Sequence, residues 1–171
     1  MKRKIGSSIV SILIVLFTLG LDQWTKWAVV KSIDLHERIT IIEHFFDLTY
    51  VQNTGAGFSL FAGAGTFFFA VLTIVALGFI IYLYITSEDE RYQWTLALIF
   101  SGALGNFIDR LRFGYVRDFF SFDIFGYYFP VFNIADICIT CGFALIFIYM
   151  IYDEYKEKKK WKQENLESKK N

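Results

Sequence analysis

Four long stretches of this chain carry almost no charge, and they fix the first expectation. Residues 5–21 are uncharged and continue apolar through Trp24 and Trp27. From Leu48 to Ser87 no charged residue occurs, but Asn53-Thr54-Gly55-Ala56-Gly57 is a turn-forming break, so the helical part is placed at 66–86. A third uncharged run covers 92–108, and a fourth covers 129–152, interrupted only by Asp136. A helix needs about 20 mostly apolar residues to cross about 30 Å of hydrocarbon. The pattern therefore predicts four membrane spans, near 5–27, 66–86, 92–110 and 129–152. Two intervening segments lack helical spacing. Residues 39–51 are rich in β-branched and aromatic side chains, and residues 113–129 hold an aromatic run punctuated by Gly126. Both predict short strands resting on the membrane surface. The expected fold class is an all-α integral membrane protein with a small extracytoplasmic β-element, formed by one domain over residues 1–171.

Composition sharpens this picture. Hydrophobic residues make up 55% of the chain, with 20 Phe, 10 Tyr and one Pro, and mean hydropathy is +0.42. In water so much apolar surface would leave large exposed patches. The net charge is zero, and no basic face of the kind that binds nucleic acid is visible. Lys and Arg set orientation. Lys2, Arg3 and Lys4 precede the first run, and a Lys/Glu-rich tail over 153–171 follows the last. Basic flanks favour the cytoplasm, so both termini are expected there. Residues 1–21 are read as a retained anchor, because Leu19-Gly20-Leu21-Asp22 lacks the small-x-small pattern of a cleavage site.

Polar residues inside such runs need a reason. An Asp at the centre of a membrane helix costs at least about 2.5 kcal/mol. With a helix starting at Phe129, Asp136 would lie roughly 10 Å below its outer end and share a face with Asn133 and Thr140. Asn106 and Arg110 are one turn apart at the end of the third run, and Asp22 and Lys26 are one turn apart in the first. Asn53 and Gly55 sit at the turn before the second. All of these gather toward the outer leaflet. Asp22–Lys26 also reads as a plain helix-end ion pair, Asp109 and Arg110 as interface markers, Asn106 as packing glue, and Asp118 as a loop acid. The residues alone leave a catalytic carboxylate pair and a proton or ion site both open at Asp136.

Other chemistries fit less well. His36 and His44 are eight residues apart without HExxH spacing, so no metal site is expected. Cys138 and Cys141 form a CxxC inside an apolar helix, which reads as packing. Ser59 and Ser101 have no base at helical spacing. A proton-coupled transporter would show an inverted repeat or paired broken helices, and neither is visible. A non-enzymatic assembly factor would tolerate Asp118→Asn.

Four blocks, in order, resemble the bacterial lipoprotein signal peptidases (signal peptidase II). They are Asp22-Gln23-Trp24-Thr25-Lys26, then Val51 to Phe58, then Gly102 to Arg110 continuing to Val116-Arg117-Asp118-Phe119, and finally Phe132-Asn133-Ile134-Ala135-Asp136. The resemblance implies that Asp118 and Asp136 are a catalytic dyad, that Asn53, Gly55, Asn106, Arg110 and Asn133 line or support the site, and that Asp22 and Lys26 brace it. It implies an aspartic endopeptidase of the bacterial cytoplasmic membrane, working as a monomer without cofactor or metal, with its site toward the extracytoplasmic face. The partners it implies are membrane lipids and prolipoproteins whose cysteine already carries diacylglycerol, with cleavage just before that cysteine. Three positions depart from the family pattern. Gly57 and Ser59 stand where Ala and Gly are common, and Arg117 precedes the dyad acid where a small or apolar residue is usual.

Overall fold

The computed structural model describes residues 2–55 and 65–168. Four helices occur there: α1 (Lys2–Ser32), α2 (Gly65–Thr86), α3 (Glu90–Phe113) and α4 (Ile134–Ser168). Between them run β1 (Arg38–Ile42), β2 (Phe46–Asn53), β3 (Val116–Ile124) and β4 (Tyr127–Tyr128), which form one antiparallel sheet in the order β1-β2-β3-β4. β3 and β4 fall within the expected segment 113–129, and β1 and β2 overrun the expected 39–51 by one residue at its start and two at its end. Ala56, Gly57, Phe58 and Ser59 lie outside the described residues.

Among the described residues three helical segments are long and apolar enough to cross a membrane: Gly6–Ser32, Phe67–Thr86 and Ile134–Leu166. Their outward side chains are large and bare, as at Phe17, Val75 and Phe147, which suits a surface solvated by lipid tails. The helix over the expected 92–110 span does not reach that apolarity. It carries Glu90, Arg91, Asp109, Arg110 and Arg112. Its position accounts for this, since α3 packs against each of the other three helices and buries Thr95, Ser101, Asn106 and Asp109. A helix sheltered by its neighbours can hold polar groups that a lipid-facing helix cannot.

The fourth helix starts later than the sequence suggests. The uncharged run begins at Phe129, but α4 begins at Ile134. Pro130 disfavours helix at the residue before it. Phe132 then pairs with Phe120 of β3 as an isolated bridge, and its ring stacks on Phe122 at 5.7 Å. Asp136 is therefore in the first turn of α4, roughly 3 Å along the helix rather than 10 Å. The expected shared helix face of Asn133, Asp136 and Thr140 is corrected too, because Asn133 precedes the helix.

Two local features aim the sheet. The Asp89 side chain caps α3 at its start, and Gly114 ends it in the left-handed region at φ 80°, its N–H donating to the Arg110 carbonyl. That tight reversal is open to glycine at little steric cost, and it brings the start of β3 back beside the end of α3. In β2 the register shifts between Leu48 and Val51, so that two residues, Thr49 and Tyr50, oppose the single Phe119 on β3. Such a bulge re-aims the side chains beyond it. The sheet rests on the end of α1 through Val29, Ile33, Tyr50 and Phe119.

Candidate active site

Asp118 sits near the start of β3, opposite Val51, and is 2% exposed. Two amides hold its carboxylate. Asn133 Nδ2 donates to Oδ1 at 2.6 Å, and Asn53 Nδ2 donates to Oδ2 at 2.9 Å. The Asn53 contact is diagonal, because Asn53 pairs with Val116 in the ladder and side chains two residues along still meet. Gly55 N–H donates back to Asn53 Oδ1 at 2.9 Å and fixes that amide. Arg110 donates to the Gly55 carbonyl at 2.8 Å and lies over the ring of Phe69, so it anchors the turn that carries Asn53.

Asp136 is held by a reciprocal cap. Asn133 N–H donates to its Oδ2 at 3.1 Å, and Asp136 N–H donates to Asn133 Oδ1 at 3.0 Å. This is a capping box built from Asn and Asp, and it satisfies helix-end donors that would otherwise be orphaned. Asn106 Nδ2 donates to Asp136 Oδ1 at 2.7 Å. Both carboxylates line one cavity of about 620 Å³, together with Asn53, Arg110, Thr140 and Cys141. Burial pushes the Asp118 carboxyl up to about 7, the Asp136 charge pushes the same way, and the Asn53 and Asn133 amides and Lys26 oppose it.

Behind the cavity lies a buried ionic layer. Lys26 is fully buried, with Nζ 2.9 Å from Asp22 Oδ2 and donating to Asn106 Oδ1 at 2.9 Å. Asp22 Oδ1 accepts the N–H of Ala135 at 2.9 Å, inside the first turn of α4. A Cβ at position 105 would stand 2.5 Å from Asp22 Oδ2, so Gly105 is what lets α1 come this close to α3. Asp22–Lys26 is thus no exposed helix-end pair; it reaches two other helices. Asp109, read from sequence as an interface marker, is fully buried and bound by Arg117 through two parallel bonds, Nε to Oδ2 at 3.0 Å and Nη2 to Oδ1 at 2.7 Å. The structure gathers all nine sequence-expected site residues around the cavity or directly behind it. It adds Gln23, Asp109 and Arg117, which sequence reasoning did not place. The capping signature Asn133-x-x-Asp136 was readable in the sequence; the Asp109–Arg117 pairing was not, because it depends on the Gly114 reversal.

The likeness to solved structures defines the class first. Two structures described as bacterial membrane enzymes, determined by the in meso method at 2.3 Å and 1.9 Å resolution, share this fold with TM-scores of 0.78 and 0.75. Each is 39% identical and is matched over 84% of this chain, covering 88% and 93% of its own length. The fold is that of a membrane enzyme. Residues 14–152 match the family described as Signal peptidase (SPase) II, and the chain belongs to that family of proteases. The lipoprotein signal peptidase of Halalkalibacterium halodurans is 41% identical over 152 residues, which is 88% of this chain and 95% of that protein. The lipoprotein signal peptidase of Staphylococcus aureus is 41% identical over 154 residues, covering 88% and 93%.

Proposed function

We propose that this protein removes the signal peptide from prolipoproteins whose cysteine carries diacylglycerol, cutting just before that cysteine, with Asp118 and Asp136 as an aspartic dyad. The observation that carries this reading is the pair of carboxylates facing one cavity, each held by side-chain amides and linked through Asn133, which bonds to both. Similarity to lipoprotein signal peptidases supports the substrate class.

Two neighbouring carboxyls do not readily both ionise, so the pair shares a proton near neutrality. That proton belongs to the dyad as a unit. The ionised carboxylate takes a proton from water, and the resulting hydroxide adds to the scissile carbonyl carbon. The protonated partner hydrogen-bonds the carbonyl oxygen and stabilises its developing charge. Collapse of the tetrahedral adduct breaks the C–N bond, and the proton gained from water goes to the departing amine. The amide donors around the dyad keep each carboxylate in place without adding charge. The cavity continues along α4 past Ile137, Thr140 and Cys141, a surface suited to the apolar helix of a signal peptide.

In this reading α3 is the fourth membrane crossing, which puts both basic-flanked termini in the cytoplasm and the sheet and dyad on the outer side. Asp136 in the first turn of α4 sets the chemistry at the outer interface. The direct test is cleavage of a lipidated precursor by purified protein. Asp118→Asn and Asp136→Asn are each expected to abolish turnover while leaving the protein inserted and folded, since residues acting as a unit fail together. Substantial turnover by either variant would remove the aspartic mechanism.

A further inference from the structure

The surroundings of Arg117 give it a specific task. Successive strand residues point to opposite faces. Asp118 faces the cavity amides, whereas Arg117 turns back to the end of α3. There its guanidinium grips Asp109 through two bonds, its own backbone N–H donates to Asp109 Oδ2 at 3.0 Å, Nη2 reaches Gln23 Oε1 at 3.2 Å, and the ring of Phe113 lies 4.7 Å away. Arg117 is 7% exposed and Asp109 is fully buried. With Asp22 and Lys26 they form a closed set of two acids and two bases. Lys26 Nζ stands 3.6 Å from Asp109 but 2.9 Å from Asp22, so its short bonds are kept for Asp22 and Asn106.

We propose that Arg117 is a positioning residue for the dyad, tying β3 to α3 so that Asp118 meets Asn133, and satisfying Asp109 so that Lys26 stays on Asn106. The inference rests on the aspartic peptidase reading. Without the guanidinium, Asp109 keeps only the backbone N–H and Gln23 as close donors and becomes a buried acid short of charge. A buried charge left unpaired is strongly unfavourable. Lys26 is the cation close enough to answer it, and moving there loosens its hold on Asn106 Oδ1. Oδ1 of that amide then keeps only the Asn133 Nδ2 donor, at 3.1 Å, and Nδ2 is held less firmly toward Asp136. One lost contact on the far side of the strand thus disturbs both carboxylates.

The experiment compares Arg117→Met, Arg117→Lys and the double variant Arg117→Met/Asp109→Leu in the purified full-length protein. A small misplacement of a catalytic group costs about a hundredfold in rate. Arg117→Met is expected to lower kcat by roughly ten- to a hundredfold with KM within about threefold of wild type. Its falling pH limb is expected at higher pH, because one positive charge is lost behind Asp118 and Lys26 is drawn toward Asp109, while the other charged groups acting at the site, Asp136 and Arg110, are unchanged. Arg117→Lys keeps the charge and loses the fork, so its pH limb stays put while kcat still falls. The double variant removes the stranded acid, and its pH limb is expected to return toward wild type. Hydrogen exchange of the β3 amides over 116–120 reads the tie without catalysis and is expected to quicken in both single variants. Wild-type kcat, pH profile and exchange in Arg117→Met would overturn the proposal, as would an Arg117→Lys protein indistinguishable from wild type. If wild type itself fails to cut lipidated precursor, the peptidase reading falls, and the exchange measurement alone then decides the tie.

Discussion

The ammonium of Lys26 helps to set which way the side chain of Asn106 faces, alongside Asn133 Nδ2, which donates to the same Oδ1 at 3.1 Å. An ammonium only donates, so the 2.9 Å contact must be to Oδ1. Nδ2 is left to donate to Asp136 at 2.7 Å. Information about the orientation of the Asp136 carboxylate therefore resides in a residue that does not touch it.

Lys26→Met should break that chain. Asn106 loses the charged one of the two donors to its Oδ1, and Asp22 is left buried without its cation. We expect kcat to fall about a hundredfold, together with a lower melting temperature in detergent, since stranding one partner of a buried pair typically costs about 3–5 kcal/mol. Steady-state cleavage and thermal unfolding of the same preparation check both. Retention of wild-type kcat would mean that Asn106 is oriented by something other than Lys26.

The elevated Asp118 carboxyl predicts the shape of the pH profile. With its proton held up to about 7, the singly protonated dyad survives to neutrality, and kcat/KM should decline above about pH 7. Asn53 donates to the charged form and so holds that value down. Asn53→Ala should let Asp118 keep its proton longer, moving the falling limb upward by roughly one pH unit. A limb that moves downward would contradict the hydrogen-bond assignment.

Folding stability carries the opposite sign from that of a salt-bridged acid. An unfolded Asp titrates near 3.9, whereas burial in the fold pushes Asp118 up to about 7. Between these values the folded state binds more protons than the unfolded one. Stability is thus retained at about pH 4, declines as pH rises, and is lowest above about pH 7. Asp118→Asn cannot ionise and escapes this penalty, which is on the order of a few kcal/mol. Its melting temperature should exceed that of wild type at pH 8 and approach it near pH 4. Equal gaps at both pH values would remove the linkage argument.

Substrate lipidation should matter because of where the dyad stands on its helix. Asp136 lies roughly 3 Å into α4, so in the proposed orientation the scissile bond has to be presented at the outer interface. Each buried methylene of an acyl chain contributes about 0.8 kcal/mol to anchoring, and a diacylglyceryl group therefore fixes the cysteine at headgroup depth. The unlipidated precursor can sample many unproductive depths. It should be cut far more slowly than the lipidated one at matched concentration in the same detergent, and equal rates would sink this account.

What the sequence made legible follows from range. Three apolar helices could be read from uncharged runs, and the strands from β-forming stretches, because those signals are local. The start of α4 was misplaced because hydropathy continues through Phe129 and Phe132, which are apolar for a different reason: Phe132 stacks on Phe122 of β3, and Phe129 meets Phe132 edge-on. Asn133-x-x-Asp136 marked the true start. Asp118 looked like a loop acid, since its burial needs the bulge in β2 that lets Asn53 reach it. Arg117 and Asp109 are only eight residues apart, yet nothing in their spacing announces a contact that a left-handed Gly114 creates.

The polarity of α3 has a consequence for how the protein is made. Asp and Arg near a helix centre each cost about 2.5–3.5 kcal/mol during translocon-mediated insertion. Asp109, Arg110 and Arg112 lie toward the end of α3, but they still make it a poor candidate to leave the translocon unaccompanied. It follows α2 after only residues 87–89, so the two can be delivered as a hairpin, with α1 already present to receive Asp109 through Lys26. α1 and α2 are apolar enough to settle individually; α3 depends on company. In released chains truncated just after Phe113, a cysteine placed in α3 should therefore be labelled by an aqueous thiol reagent far more readily than in the full-length protein. The segment that brings Asp118 is synthesised right behind this hesitant helix, which makes assembly of the sheet and its cavity one of the last events in the biogenesis of the molecule.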